Sequence, residues 1–138
     1  MFQLKKLSAA MALALAAAGA QAQVSGGVVK LGVMNDMSSL YADIGGPGSV
    51  TAARMAVEDF MKSSKSKLKV EVVSADHQNK PDVGSAIARQ WYDSDGVDAI
   101  FDVPTSSVAL AVNQVTRDKG KAFLVSGAAT SDLTGKAW

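Results

Sequence analysis

The sequence predicts an α/β fold built on a doubly wound parallel sheet, and three observations carry that prediction. Four short apolar runs, Val28 to Met34, Leu68 to Ala75, Val97 to Val103 and Ala122 to Val125, are separated by three stretches of helical periodicity. The connections between successive runs are too long for hairpins, so the order β-α-β-α-β-α-β implies parallel strands joined by right-handed crossovers. The connections leaving the carboxyl ends of the strands are rich in small and polar residues, and in such sheets ligands lie beyond those ends.

The elements follow in order. After a flexible leader over residues 23–27, VVKLGVM reads as the strand that starts the fold. Asn35 to Gly48 (NDMSSLYADIGGPG) is a long polar, glycine-rich connection. A helix is expected from about Ser49, with Val50, Ala53, Val57 and Phe60 on one face, ending in the Lys/Ser run Lys62 to Lys67. LKVEVVSA is β-branched and partly alternating, as a second strand should be. Asp76 to Lys80 is a polar turn, and Pro81 opens a helix where proline is tolerated. That helix is expected to bury Val83, Ala86, Ile87 and Trp91, and to stop in Asp93-Ser94-Asp95-Gly96. The third strand breaks at Pro104 into Thr105, Ser106 and Ser107, and a helical pattern starts at Val108 with Leu110, Ala111, Val112 and Val115. It ends at Lys119-Gly120, a basic last turn followed by glycine. The fourth strand leads into a second hydroxylated turn, Ser126-Gly127-Ala128-Ala129-Thr130-Ser131.

Ahead of this domain, Lys5 and Lys6 precede an apolar stretch, Leu7 to Ala18, and Ala20-Gln21-Ala22 offers the small residues a signal peptidase reads. Residues 1–22 are therefore expected to be a secretory signal, and the mature protein to be periplasmic. Removing 22 of 138 residues leaves 116, with 12 basic and 13 acidic side chains and a net charge of −1. No basic patch remains for nucleic acid. With no cysteine, a disulfide scaffold and a thiolate metal site are excluded.

Gly45-Gly46-Pro47-Gly48 lacks the Lys and Ser/Thr of a phosphate loop and the spacing of a dinucleotide fingerprint, and reads as a close approach to a helix start. His77 is the only histidine, and no Gly-Xaa-Ser-Xaa-Gly elbow accompanies it, so no hydrolytic relay can be assembled. Adjacent Asp76 and His77 rarely face one metal ion without further ligands. Asp36 and Asp102 suggest either the acid cluster of a phosphoryl-accepting receiver, which an exported protein would not be, or turn capping. What remains is a non-covalent site. The hydroxyl turn before the third helix can cap that helix or, with the free N–H groups and the positive end of the dipole, hold a carboxylate. Thr105, Ser106 and Thr130 supply donors, carbonyls near Ala128 can accept from an ammonium, and Tyr41 and Ile44 can form an apolar wall.

Taken together, the VKLGVMNDMSS start, YADIGGPGS, DHQNKPDVG, PTSS and SGAAT resemble the periplasmic substrate-binding proteins of ABC importers, in particular the branched-chain amino acid (leucine-binding) family. The resemblance covers residues 28–138 and implies the first lobe of a type I periplasmic binding protein, not an enzyme, with a second lobe missing. By position it implies that Thr105, Ser106, Ala128 and Thr130 grip the ligand's carboxylate and ammonium, and that membrane-embedded permease subunits are the partner. Thr105 stands where serine is frequent and Ile44 where many amino-acid binders place an aromatic residue. The YADIGGPGS wording is closer to relatives that take up aromatic or other organic carboxylates. The alternative is a sensory ligand-binding domain of the same fold.

Overall fold

The computed structural model describes residues 27–137; the expected export signal and all of the leader but Gly27 lie outside the described residues, as does Trp138. Seven elements run in the expected alternation: β1 (Val28–Asn35), α1 (Gly46–Ser63), β2 (Lys69–Asp76), α2 (Pro81–Asp93), β3 (Ala99–Asp102), α3 (Ser106–Asp118) and β4 (Ala122–Val125). All strand pairs are parallel, in the order β2-β1-β3-β4. The order reverses between β1 and β3, which is the topological switch point where this class of sheet opens a crevice.

Alternation along the strands sends side chains to two unlike faces. Met34 and Ile100 join Trp91, Tyr92, Val108, Val112 and Val115 in the buried core under α2 and α3. Two glycines allow this packing to be close. A Cβ on Gly32 would stand 2.4 Å from the Trp91 ring, and one on Gly84 would stand 2.5 Å from Val108 Cγ1. Trp91 therefore packs directly against β1 at Gly32, and α2 and α3 touch at Gly84. The inward side of α2 is Gly84, Ala88, Trp91 and Tyr92, with Val83 and Ile87 half-buried; Ala86, expected inside, is exposed. The shift follows from Gly84, which turns the α2 stripe by one position toward α3.

On the other face a single helix covers the sheet. Val50 is buried and Ala53 and Val57 are half-buried, but Phe60, expected to close the stripe, is 44% exposed. A cavity of about 430 Å³ lies between α1 and the sheet, lined by Leu31, Val33, Val57, Phe60, Val70 and Phe101 among others. One helix is too narrow to span four strands, and Leu124 of β4 is 51% exposed on this side.

Polar groups collect at the carboxyl edge. The Asp76 carboxylate accepts the Met37 N–H (3.0 Å), the Ser38 hydroxyl (2.6 Å) and the Gln78 N–H (2.8 Å), tying the end of β2 to the connection after β1. Buried Asp36 accepts the N–H groups of Ser38, Ser39 and Tyr41 and the Ser39 hydroxyl, winding that connection into turns. Burial alone would raise both carboxyls, but these donors outweigh it and hold them below the ordinary carboxylate value. His77, 0% exposed, accepts the Asn79 N–H at Nδ1 (3.0 Å), so its neutral ring carries its proton on Nε2, which has no acceptor. Burial lowers the imidazole pKa even though Asp36, Asp76 and Asp102 favour the proton.

Gly84→Ala is expected to destabilise by about 1–3 kcal/mol through overpacking against Val108. Gly48→Ala, in α1 with nothing within 4 Å of the new methyl, is expected to stabilise by about 0.4–1 kcal/mol. Urea unfolding of the two variants measures the opposite signs. For pH, the unfolded chain binds a proton at residue 77 more readily than the folded one. Stability contributed there is complete above about pH 6.5 and declines as pH falls toward the lowered folded value. Asp36 and Asp76 act with the same sign further down, their contribution present above about 3.8 and lost as pH drops through their lowered values. His77→Asn keeps an acceptor for Asn79 and has nothing to titrate. It is expected to flatten the pH dependence of urea-unfolding stability just below about pH 6.5 while leaving the acid limb intact.

Candidate functional site

The third connection is where the chain departs most from easy geometry. Asp102 (φ 79°) and Val103 (φ 55°) both occupy the left-handed region, which a β-branched residue adopts rarely and only under constraint. The constraint is visible. The Val103 N–H is bonded to the Met34 carbonyl at 3.0 Å, the Val103 side chain is fully buried, and the Asp102 carboxylate accepts from Asn35 Nδ2 and from the Ser126 hydroxyl. This double turn directs Pro104 to Ser107 out over the sheet edge.

α3 starts two residues earlier than the apolar pattern suggests, at Ser106, with Thr105 in the capping position. Thr105 does not cap: its side chain makes no hydrogen bond to the helix, and its Oγ1, screened from solvent, has no partner at all. The first intrahelical bond runs from the Ala109 N–H to the Thr105 carbonyl at 2.8 Å, so the N–H groups ahead of it have no carbonyl within the helix to meet. A buried hydroxyl left unpaired beside free helix donors is destabilising unless something binds there.

A cleft of about 450 Å³ opens at this point, lined by Tyr41, Ile44, Pro104, Thr105, Ser106, Ser107, Gly127 and Ala129. Three connections meet in it. Gly127 lies against Pro104, where a Cβ on the glycine would be 3.5 Å from the proline Cβ. Tyr41 and Ile44 arrive from the wound first connection, in which the Ile44 N–H bonds the Tyr41 carbonyl at 3.0 Å. Ile44 is 75% exposed, an apolar side chain open to solvent at the cleft. No acidic or basic side chain lines the cleft. Any anion held here is held by neutral donors and the helix dipole.

Of the residues expected from the sequence, Tyr41, Ile44, Thr105 and Ser106 share this cleft. Ala128 and Thr130 do not line it. Ala128 packs toward the core, and the Thr130 hydroxyl accepts the Asp132 N–H at 3.3 Å within its own turn. Their neighbours Gly127 and Ala129 take the lining positions, because the turn presents alternate residues to the cleft. Asp36 and Asp102 act as turn and loop acceptors, in line with the capping alternative. Among the described residues no group of three or more His, Cys, Asp or Glu is gathered as a metal would require, and no helix is long and apolar enough to cross a membrane.

Asn35 escaped the sequence reading. The Asn-Asp pair that ends an apolar strand ten residues before Gly45-Gly46 was the available signal. Its Oδ1 accepts the N–H of Gly46 at 3.1 Å and so caps α1 from another element. A Cβ on Gly45 would stand 2.9 Å from Asn35 Nδ2, and Gly46 has φ +44°, so the glycine pair admits the amide and makes the turn.

Comparison with known proteins places these features. A sequence profile of the family described as periplasmic binding protein matches residues 28–138. No curated protein sequence matches. Among solved structures, a periplasmic binding protein from Burkholderia mallei is 42% identical, with a TM-score of 0.76 over 82% of this chain and 30% of its own. A branched-chain amino acid ABC transporter periplasmic ligand-binding protein from Burkholderia xenovorans is 50% identical, with a TM-score of 0.72 over 78% of this chain and 28% of its own. A solute-binding protein of an ABC transporter from R. palustris, in complex with 4-hydroxybenzoate, is 25% identical, with a TM-score of 0.64 over 79% of this chain and 29% of its own. The chain thus spans less than a third of the length of these structures. With the profile covering the whole described sheet and its connections, the chain belongs to the periplasmic binding protein family, a family of transporter binding components and not of enzymes.

Proposed function

We propose that residues 28–138 form the N-terminal lobe of an ABC importer's solute-binding subunit, which takes a small carboxylate between two lobes and delivers it to the permease. The observation that carries this reading is the Thr105 hydroxyl, buried without a partner at the open start of α3. A carboxylate oxygen there accepts from Thr105 and from the N–H groups of the first turn, and supplies what the free protein leaves unmade. Ser106 and the backbone of the fourth turn at Gly127 and Ala129 complete the grip, and the apolar body of the ligand rests on Tyr41 and Ile44. Two relatives support the ligand class: one is named for branched-chain amino acids and another holds 4-hydroxybenzoate, both carboxylates with an apolar body. Export through residues 1–22 to the periplasm belongs to the same reading.

The energetics favour a two-lobed site. Two or three charge-assisted bonds at about 1.5–3 kcal/mol each contribute roughly 3–9 kcal/mol. Immobilising the ligand costs at least about 4 kcal/mol, so one lobe alone binds at about millimolar strength or weaker. The relatives' greater length supports a second wall supplied by the rest of the full-length protein, closing on the ligand about a hinge.

The test is calorimetry and thermal unfolding of the full-length protein with leucine and with 4-hydroxybenzoate. Thr105→Val preserves shape and removes only the hydroxyl. It is expected to weaken binding by about 10- to 100-fold while leaving the melting temperature of the unliganded protein unchanged or higher. Undiminished binding by this variant would remove Thr105 from the site, and a wild-type protein indifferent to both carboxylates would overturn the ligand class.

A further inference from the structure

We infer that Asn35 and Asp102 form a positioning pair that sets the spacing between the first and third connections, and through that spacing the affinity of the cleft for a carboxylate. The second half of this inference rests on the function proposed above; the first half does not. Neither side chain lines the cleft.

Asn35 ends β1 with no exposed surface. Its Oδ1 accepts the N–H groups of Asp36 (2.8 Å) and Gly46 (3.1 Å), the two ends of the first connection. Its Nδ2 donates to Ser49 Oγ at 3.3 Å, inside the first turn of α1, and to the Asp102 carboxylate at the end of β3. Asp102 in turn accepts from the Ser126 hydroxyl just beyond β4. One amide and one carboxylate therefore tie the ends of β1, β3 and β4 to the start of α1. Tyr41 and Ile44 lie within the loop that Asn35 closes, and Thr105 lies three residues past the carboxylate it holds.

The backbone at Asp102 and Val103 gives the tie its leverage. Two consecutive non-glycine residues with positive φ remain so only where their surroundings hold them. Releasing the Asp102 side chain allows this segment to relax toward ordinary angles, and the Pro104 to Ser107 wall moves with it. The pair also has a direction. The amide must offer two lone pairs to N–H groups and a donor to a carboxylate, so an acid at residue 35 would face Asp102 as a like charge. Exchanging the two chemistries restores one donor and one acceptor between the same positions.

The experiment compares the full-length wild-type protein, Asn35→Asp, Asp102→Asn and the exchanged double variant N35D/D102N. Amide hydrogen exchange at Gly46, Val103 and Ser126 is read without ligand, and calorimetry is read with leucine and 4-hydroxybenzoate. N35D is expected to lose protection at these three amides and to bind the preferred carboxylate about tenfold or more weakly. The double variant is expected to recover protection and to bind within about threefold of wild type, a recovery that a merely structural burial of Asn35 would not produce. If N35D fails to fold, a folded double variant with wild-type binding supports the pair as directly. N35D with unchanged protection, or a double variant no better than N35D, overturns the inference. Protection that follows the pair while affinity stays constant in every variant overturns its role in binding and leaves the carboxylate function intact. Protection that follows the pair in a protein that binds neither carboxylate supports the spacing device and overturns the proposed function instead.

Discussion

A parallel sheet delivers the last amides and carbonyls of all its strands to one edge, where the chain turns away and the ladder can no longer pair them. In this protein that edge is satisfied by side chains in strand order. Asp76 closes the end of β2 on the first connection, Asn35 and Asp36 close the end of β1, and Asp102 joins β3 to Ser126 after β4. Most of these groups are buried or half-buried, and a buried polar group without a partner is costly, so the loops are held where their donors meet these acceptors. Thr105, at the cleft, is the group this row leaves out: its buried hydroxyl has no partner.

The two faces of the sheet are held to different degrees, and this places the rigid part of the molecule. Under α2 and α3 the glycines at 32 and 84 bring an aromatic ring and a whole helix into direct contact with their neighbours. That face fixes β1 and β3, the strands that carry Asn35 and Asp102. Under α1 the packing is looser, with a cavity of about 430 Å³ and a half-exposed Phe60. The anchor of α1 is therefore its first turn, at Gly46 and Ser49, and not its length.

The absence of ionised side chains from the lining of the cleft shapes its chemistry. A guanidinium would hold a carboxylate more strongly but release it less readily, and would need its own desolvation. Hydroxyl and backbone donors at a helix start give direction with moderate strength. Leu40 and Ile44 of the first connection add exposed apolar surface, Ile44 at the cleft itself.

The element order, the parallel topology and four of the cleft residues were legible in the sequence because they rest on local patterns: the two- and 3.6-residue periods, proline at a helix start, hydroxyls after a strand. Boundaries set by other elements were not legible. α1 begins at Gly46 because Asn35 reaches it from β1, and α2 turns Ala86 outward because Gly84 meets Val108 of α3. Which residues of the fourth turn face the cleft is a one-residue phase, and the turn offers small residues in both phases, Gly127 and Ala129 in one and Ala128 and Thr130 in the other. That Thr105 leaves its own helix uncapped also depended on the strained turn at Asp102 and Val103, whose φ angles no local preference would choose. Sequence alone determined the fold and the chemical character of its edge, since both follow from short-range pattern. Only the tertiary structure decided which donors stay unpaired, because pairing at a sheet edge is a contest among groups far apart in the chain.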